Sequence, residues 1–220
     1  MSEVLAAALR RLLPAGVAVG SADPRRMHPL WPGEDLEAAP GRRAEFSAGR
    51  SAARAAMKEL GVPPRAIPAR PDRAPLWPGN VVGSITHTRG AALAAVALSA
   101  DLVSLGIDME PQTAVTPELW QTICLPDELD LLIALPAGQA AGMATALFCA
   151  KEAAYKAQYP LTGELFDFHR LAVTFEGDGF TARFTARTGQ FAKGAALAGR
   201  LGRAKGQILA AVAVQSQNMA

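Results

Sequence analysis

Between Val103 and Glu110 the chain alternates without a break: Val103, Leu105, Ile107 and Met109 are apolar, and Ser104, Gly106, Asp108 and Glu110 stand between them. Side chains of a β-strand point to opposite faces in turn, so the run predicts a strand with one face committed to a core. Its other face carries two carboxylates side by side. Like charges that close raise each other's pKa unless a cation lies between them, and one or two carboxylates suit Mg2+. The same run also reads as a solvated strand end before Pro111.

A second stretch further along reads as helix: Phe148-Cys149-Ala150-Lys151-Glu152-Ala153-Ala154-Tyr155-Lys156-Ala157. Phe148, Glu152 and Lys156 fall at i, i+4 and i+8 and share one stripe, with Lys151 and Tyr155 on the next. On an open face these charges would be an ion-paired surface. Beside a phosphate they would be a metal ligand and a cationic clamp.

Three further stretches precede them in order: Gly41-Arg42-Arg43-Ala44-Glu45-Phe46 running to Ala48-Gly49-Arg50, then Arg73-Ala74-Pro75-Leu76-Trp77-Pro78, then Gly83-Ser84-Ile85-Thr86-His87. With all five motifs in this order, the chain resembles the 4'-phosphopantetheinyl transferases, in their siderophore-synthase-activating, enterobactin-type branch. The resemblance runs from about Arg42 to Ala157, over half the chain.

The resemblance implies an α+β fold of two similar halves related by a pseudo-twofold, with the active site in the cleft between them. Residues 1–104 would form the N-terminal half, on the 3'-phosphate and adenine side of coenzyme A. Residues 105–220 would carry the metal-binding and catalytic groups. Asp108, Glu110 and Glu152 would hold Mg2+, with Mn2+ as an alternative. Arg42 and Arg50 would contact the 3'-phosphate, Arg73 the diphosphate, and Thr86 and His87 a coenzyme phosphate. Lys151 and Lys156 would clamp phosphate, and Glu152 would take the proton of an incoming serine. Glu128 matches a further acid near the metal in some relatives. The implied reaction moves phosphopantetheine from coenzyme A to a serine of an apo acyl or peptidyl carrier protein and releases adenosine 3',5'-bisphosphate. The chain would act as a monomer, in siderophore, nonribosomal peptide or polyketide synthesis. A non-catalytic coenzyme-binding module and a metal-dependent phosphohydrolase are the rival classes.

Half of the residues are apolar, 19% are charged and the formal net charge is +2. That composition belongs to a folded chain with a sizeable core. No Lys/Arg run with interleaved aromatics marks a nucleic-acid surface. Cys124 and Cys149 lack metal-ligand spacing and read as reduced thiols of a cytoplasmic protein, Cys149 as a packing residue. No apolar run is long enough to span a bilayer.

At the N-terminus, a helix capped by Ser2 with Leu5, Leu9, Leu12 and Leu13 at helical spacing competes with a signal peptide, against which Glu3 and Arg10-Arg11 argue. Residues 16–20 read as a short strand, and 23–40 as a loop in which His28 takes no role. Residues 42–60 read as a helix stopped by Gly61, its arginines forming either a solvated face or an anion site. Residues 81–86 read as a strand leading to His87. Residues 91–98 and 102–109 flank Ser99-Ala100-Asp101, a hairpin turn, and 111–117 a link between halves. Asp127 and Glu128 read as first-turn acids of a helix. A long helix spans 138–159 and is closed by Pro160. Strands at 171–175 and 180–186 bracket Glu176-Gly177-Asp178-Gly179, and 207–215 is a last strand. The Gly-, Ala- and Lys-rich stretch before it reads as loop, His169 as structural or solvated, and the tail from Ser216 as frayed.

Overall fold

The first sheet is antiparallel, with strand order β1-β3-β2 (β1 Ala18–Ala22, β2 Val81–Thr88, β3 Ala91–Leu98), in the computed structural model, which describes residues 1–216. Helix α2 (Pro40–Glu59) covers one face, packing Ala52, Ala53, Ala56 and Met57 against Ala18, Ala94 and Val96. The second sheet has the order β4-β8-β7-β6-β5 (β4 Ser104–Pro111, β5 Leu171–Glu176, β6 Gly179–Phe184, β7 Ala196–Ala204, β8 Gln207–Val214). Helix α5 (Ala137–Thr162) crosses it, reached through short helices α3 (Trp120–Ile123) and α4 (Pro126–Ala134). Two antiparallel sheets, each backed by one long helix, make the predicted α+β architecture.

Helix α1 (Ser2–Arg10) joins the two units. Its Leu5 and Leu9 share a buried cluster with Leu93 and Ala95 of β3, Leu105, Ile107 and Met109 of β4, and Leu209 of β8. The apolar side of the Val103–Glu110 alternation therefore faces a common interior, and its polar side faces α5.

Two glycines explain how closely the helices lie on the strands. A side chain at Gly20 of β1 would collide with the Ala52 carbonyl of α2, and one at Gly106 of β4 with the Ala153 carbonyl of α5. The same strand-under-helix contact thus occurs once in each unit. Only a residue without a Cβ permits it.

Strands β2 and β4 are sheet edges, and these edges abut. No peptide ladder joins them. Instead the Ile107 amide donates to Ser84 Oγ at 3.0 Å and the Met109 amide to Thr86 Oγ1 at 3.1 Å. Two hydroxyls satisfy buried edge amides that would otherwise lack partners.

Several local expectations change. Residues 99–101 do not close a hairpin: β3 pairs with β1 and β2, whereas β4 pairs with β8. The chain crosses between sheets there rather than at 111–117, because β4 already belongs to the second sheet. Strand β7 lies in the stretch read as loop. Helix α1 ends at Arg10, with Met1 rather than Ser2 as its N-cap, so Leu12 and Leu13 pack from a turn. Pro160 lies inside α5, whose end is set by Gly163 in the left-handed region. The missing Pro160 N–H costs only one bond in the last turn. The hairpin at 176–179 forms with Glu176 opposite Gly179. Positions 217–220 of the tail lie outside the described residues.

Candidate active site

A cleft of about 770 Å³ opens where the two units meet. Its walls come from the start of α2, the loop before β2, the ends of β2 and β4, and one stripe of α5. Arg42, Arg50, Arg73, Thr86, His87, Asp108, Glu110, Glu152 and Lys156 all border it. Cations come mainly from the first unit and carboxylates from the second.

The floor is Asp108. Its Oδ1 accepts from Lys156 Nζ at 2.6 Å and from Thr86 Oγ1 at 3.2 Å, while Oδ2 is buried with no partner. Lys156 also donates to the Ile107 carbonyl at 3.3 Å. Burial, reinforced by Asp108 and Glu152, pushes the Glu110 carboxyl up to about 7. Burial raises Glu152 as well, with Asp108 adding to it and Lys156 opposing. One ammonium therefore serves three acids and leaves their repulsion only partly relieved.

Among the described residues, no three His, Cys, Asp or Glu side chains are gathered closely enough to hold a metal ion as they stand. The donor chemistry nevertheless fits a hard divalent cation. An orphaned carboxylate oxygen and two carboxyls of raised pKa form a set that added positive charge would stabilise.

On the cationic wall, Arg42 Nη1 donates to His87 Nε2 at 2.8 Å and to Glu45 Oε2 at 3.3 Å. Burial lowers the His87 pKa, aided by Arg42 and Lys156, which matches a neutral ring accepting at Nε2. Arg50 is buried, with Nε on the Ile67 carbonyl at 3.0 Å and its guanidinium 4.0 Å from the Phe46 ring centroid. Its Nη2 has no partner, and burial lowers its pKa to about 10, so it stays charged at neutral pH. The α2 arginines thus divide: Arg42 and Arg43 are exposed, Arg50 and Arg54 buried.

Arg73 sits at the tip of a tight loop at φ 70°, with its amide on the Arg70 carbonyl. The neighbouring Asp72 Oδ2 accepts from Tyr159 OH at 2.6 Å, a bond from the first unit to α5 across the cleft mouth. Asp72 and Tyr159 escaped the sequence reading because nothing local pairs residues so distant in sequence.

Lys151 does not join the cleft. It is 1% exposed, and its Nζ donates to Glu128 Oε2 at 2.6 Å and the Ile123 carbonyl at 2.7 Å. A separation of five residues turns a helix by about 140° beyond a full turn, so Lys151 and Lys156 cannot share a face. Where the resemblance implies a phosphate clamp, Lys151 forms a buried ion pair. Glu128 is the other half of that pair. It accepts from the Leu125 amide as the first-turn acid of α4 and from the Val173 amide of β5, each at 2.8 Å. Among the described residues, the rings of His28 and His169 each hydrogen-bond a backbone carbonyl, those of Asp23 and Gln121.

Residues 34–97 match the 4'-phosphopantetheinyl transferase N-terminal domain, and residues 104–212 the 4'-phosphopantetheinyl transferase superfamily. The chain is 42% identical over 185 residues to the 4'-phosphopantetheinyl transferase Svp of Streptomyces mobaraensis, covering 80% of this chain and 74% of that protein. It is 37% identical over 172 residues to the 4'-phosphopantetheinyl transferase Npt of Nocardia iowensis, 76% of this chain and 77% of that protein. Enterobactin synthase component D of Salmonella typhi is 42% identical over 119 residues, 53% of this chain and 48% of that protein. With both units matched and two relatives this similar over about three quarters of their length, the chain belongs to the 4'-phosphopantetheinyl transferase superfamily.

Proposed function

We propose that this chain transfers the 4'-phosphopantetheine group of coenzyme A to a serine of an acyl or peptidyl carrier protein, in a Mg2+-dependent reaction that releases adenosine 3',5'-bisphosphate. The observation that carries the reading is the Asp108 oxygen left without a partner beside two carboxyls of raised pKa, facing a wall of arginines. A site built this way has a place for a cation and a place for an anion in contact.

In this reading residues 1–104 hold the nucleotide end. Arg42, Arg50 and His87 take the 3'-phosphate, Thr86 contributes beside them, and Arg73 reaches the diphosphate from its loop. Planar guanidinium groups suit this task because they bind phosphate bidentately and remain charged. Residues 105–220 supply Asp108, Glu110 and Glu152 as ligands for Mg2+ or Mn2+. When bound, the ion would draw charge from the diphosphate and favour departure of the leaving group. Lys156 stabilises the same developing charge. The serine Oγ attacks the β-phosphorus, the bond from that phosphorus to the bridging oxygen breaks, and Glu152 takes the serine proton. Lys151 acts from behind, fixing α5 against α4 and β5.

The carrier serves siderophore, nonribosomal peptide or polyketide synthesis, and the transferase works as a monomer in the cytoplasm. No described helix is long and apolar enough to cross a membrane. The test is mass spectrometry of apo-carrier proteins incubated with coenzyme A and Mg2+. A gain of one phosphopantetheine on the serine, abolished by chelation, is the expected result. Release of free phosphopantetheine without carrier, or coenzyme binding without any turnover, would overturn it.

A further inference from the structure

Behind the arginine wall lies a buried ionic network that the transfer chemistry leaves unused. Glu34 is fully shielded from solvent. Its carboxylate accepts from Arg54 Nη1 at 2.6 and 2.7 Å, from the Trp31 amide at 2.9 Å and from the Ile67 amide at 2.8 Å. Arg54 donates onward to the Pro29 carbonyl at 2.7 Å, and its guanidinium lies 4.8 Å from the Trp31 ring centroid. A buried carboxylate with this many donors is held firmly in place.

Ile67 links this network to the cleft. Its N–H is bound by Glu34, and its carbonyl takes Arg50 Nε at 3.0 Å. Phe46 packs against the Arg50 guanidinium at 4.0 Å, and Nη2 is buried and unpartnered in a residue that borders the cleft. A pair serving stability alone has no need to grip the residue whose carbonyl fixes a second arginine. Glu34 also gives two neighbouring buried cations, one helical turn apart, their shared counter-charge.

We propose that Glu34 is a positioning residue for coenzyme recognition. Through Arg54 and the Ile67 peptide it holds Arg50 with Nη2 presented to a phosphate monoester, and so sets the preference for a 3'-phosphorylated nucleotide over its dephosphorylated counterpart. The inference rests on the reading of Arg50 as a 3'-phosphate ligand given above.

Steady-state transfer to an apo-carrier, with coenzyme A and with 3'-dephospho-coenzyme A, tests it in the full chain. Arg50→Ala lowers the ratio of the two kcat/KM values. Glu34→Gln lowers the same ratio by about tenfold, through a higher KM for coenzyme A with kcat unchanged, because a displaced ligand loses ground-state and transition-state binding alike. In the Arg50→Ala background Glu34→Gln changes the ratio no further. Glu34→Asp keeps the charge on Arg54 but falls a methylene short of the Ile67 amide. It gives an intermediate loss, and it carries the test if Glu34→Gln does not fold. Equal loss with both coenzymes in the Glu34 variants would mean a structural role only and overturn the inference. If Arg50→Ala moves the ratio and the Glu34 variants do not, the inference alone falls. If Arg50→Ala leaves the ratio unchanged, the reading of Arg50 falls first.

Discussion

Lys156 of α5 and Asp108 of β4 meet at 2.6 Å, and this one contact ties the long helix to the strand end while also holding the floor of the cleft. Asp108 is nearly inaccessible, whereas 29% of the Lys156 side chain is exposed. Replacing Lys156 with Ala leaves an unpaired carboxylate beside Glu110 and Glu152. The expected cost is about 2–3 kcal/mol, below that of a fully enclosed pair because solvent reaches the lysine. Transfer falls by at least about 100-fold as a preorganised cation is lost from the diphosphate. Denaturant unfolding and single-turnover transfer check the two effects. Mg2+ should raise the melting temperature more in this variant than in the parent protein.

Glu110 gives the site a pH signature. Its folded pKa of about 7 lies above its ordinary 4.5, so the folded state binds a proton the unfolded state has released between those values. Stability of the metal-free protein is therefore favoured at the acidic end and declines as pH rises from about 4.5 through 7. Cation binding must displace that proton, so Mg2+ affinity rises across the same window. Thermal melts of metal-free protein and calorimetric Mg2+ titrations from pH 5 to 8 test this. Glu110→Gln should flatten both profiles, and parallel profiles in parent and variant would reject the assignment.

The Lys151–Glu128 pair makes a different prediction. With side chains 1% and 6% exposed, the pair is almost wholly enclosed. Lys151→Met leaves a buried anion and should cost about 3–5 kcal/mol. Adding Glu128→Gln should recover part of that, since the amide can still accept one of the two backbone N–H groups without carrying charge. Denaturant midpoints of the two single variants and the double variant give the coupling.

Tyr159→Phe removes the bond to Asp72 across the cleft mouth. The pair is exposed, so the melting temperature should not move. The loop bearing Arg73 loses its tether to α5, and the KM for coenzyme A should rise about threefold, in line with one modest hydrogen bond. Steady-state kinetics with the carrier at saturation measures this, and an unchanged KM would show that the clasp does not position the loop.

The acidic strand face and the Glu152–Lys156 stripe could be read from the sequence because each follows from local periodicity. Alternation placed Asp108 and Glu110 together, and helical spacing placed Lys156 with Glu152. The fate of Lys151 could not be read, since its partner Glu128 comes from another helix and the choice between phosphate and carboxylate is made by tertiary packing. Strand β7 was hidden for a related reason. Gly199 and Gly202 weaken any strand pattern, yet Gly199 is where the Phe180 ring needs room and Gly202 where Leu12 does. The turn at 99–101 looked like a hairpin because turn chemistry marks a reversal but not the sheet to which each arm belongs. The buried network of Glu34 was equally invisible, as its donors are two backbone amides and one arginine spread over three segments.

Gly106 of β4 has a consequence beyond its own packing. At position 106 what matters is the absence of a substituent, because the Ala153 carbonyl occupies the space where a methyl would go. A homologous chain keeping every acid and lysine but bearing alanine there would lift α5 off its strand and separate Glu152 from Asp108. Such a protein could retain the full set of reactive groups and still be inert, so its inventory of charged residues alone would be a misleading guide to competence.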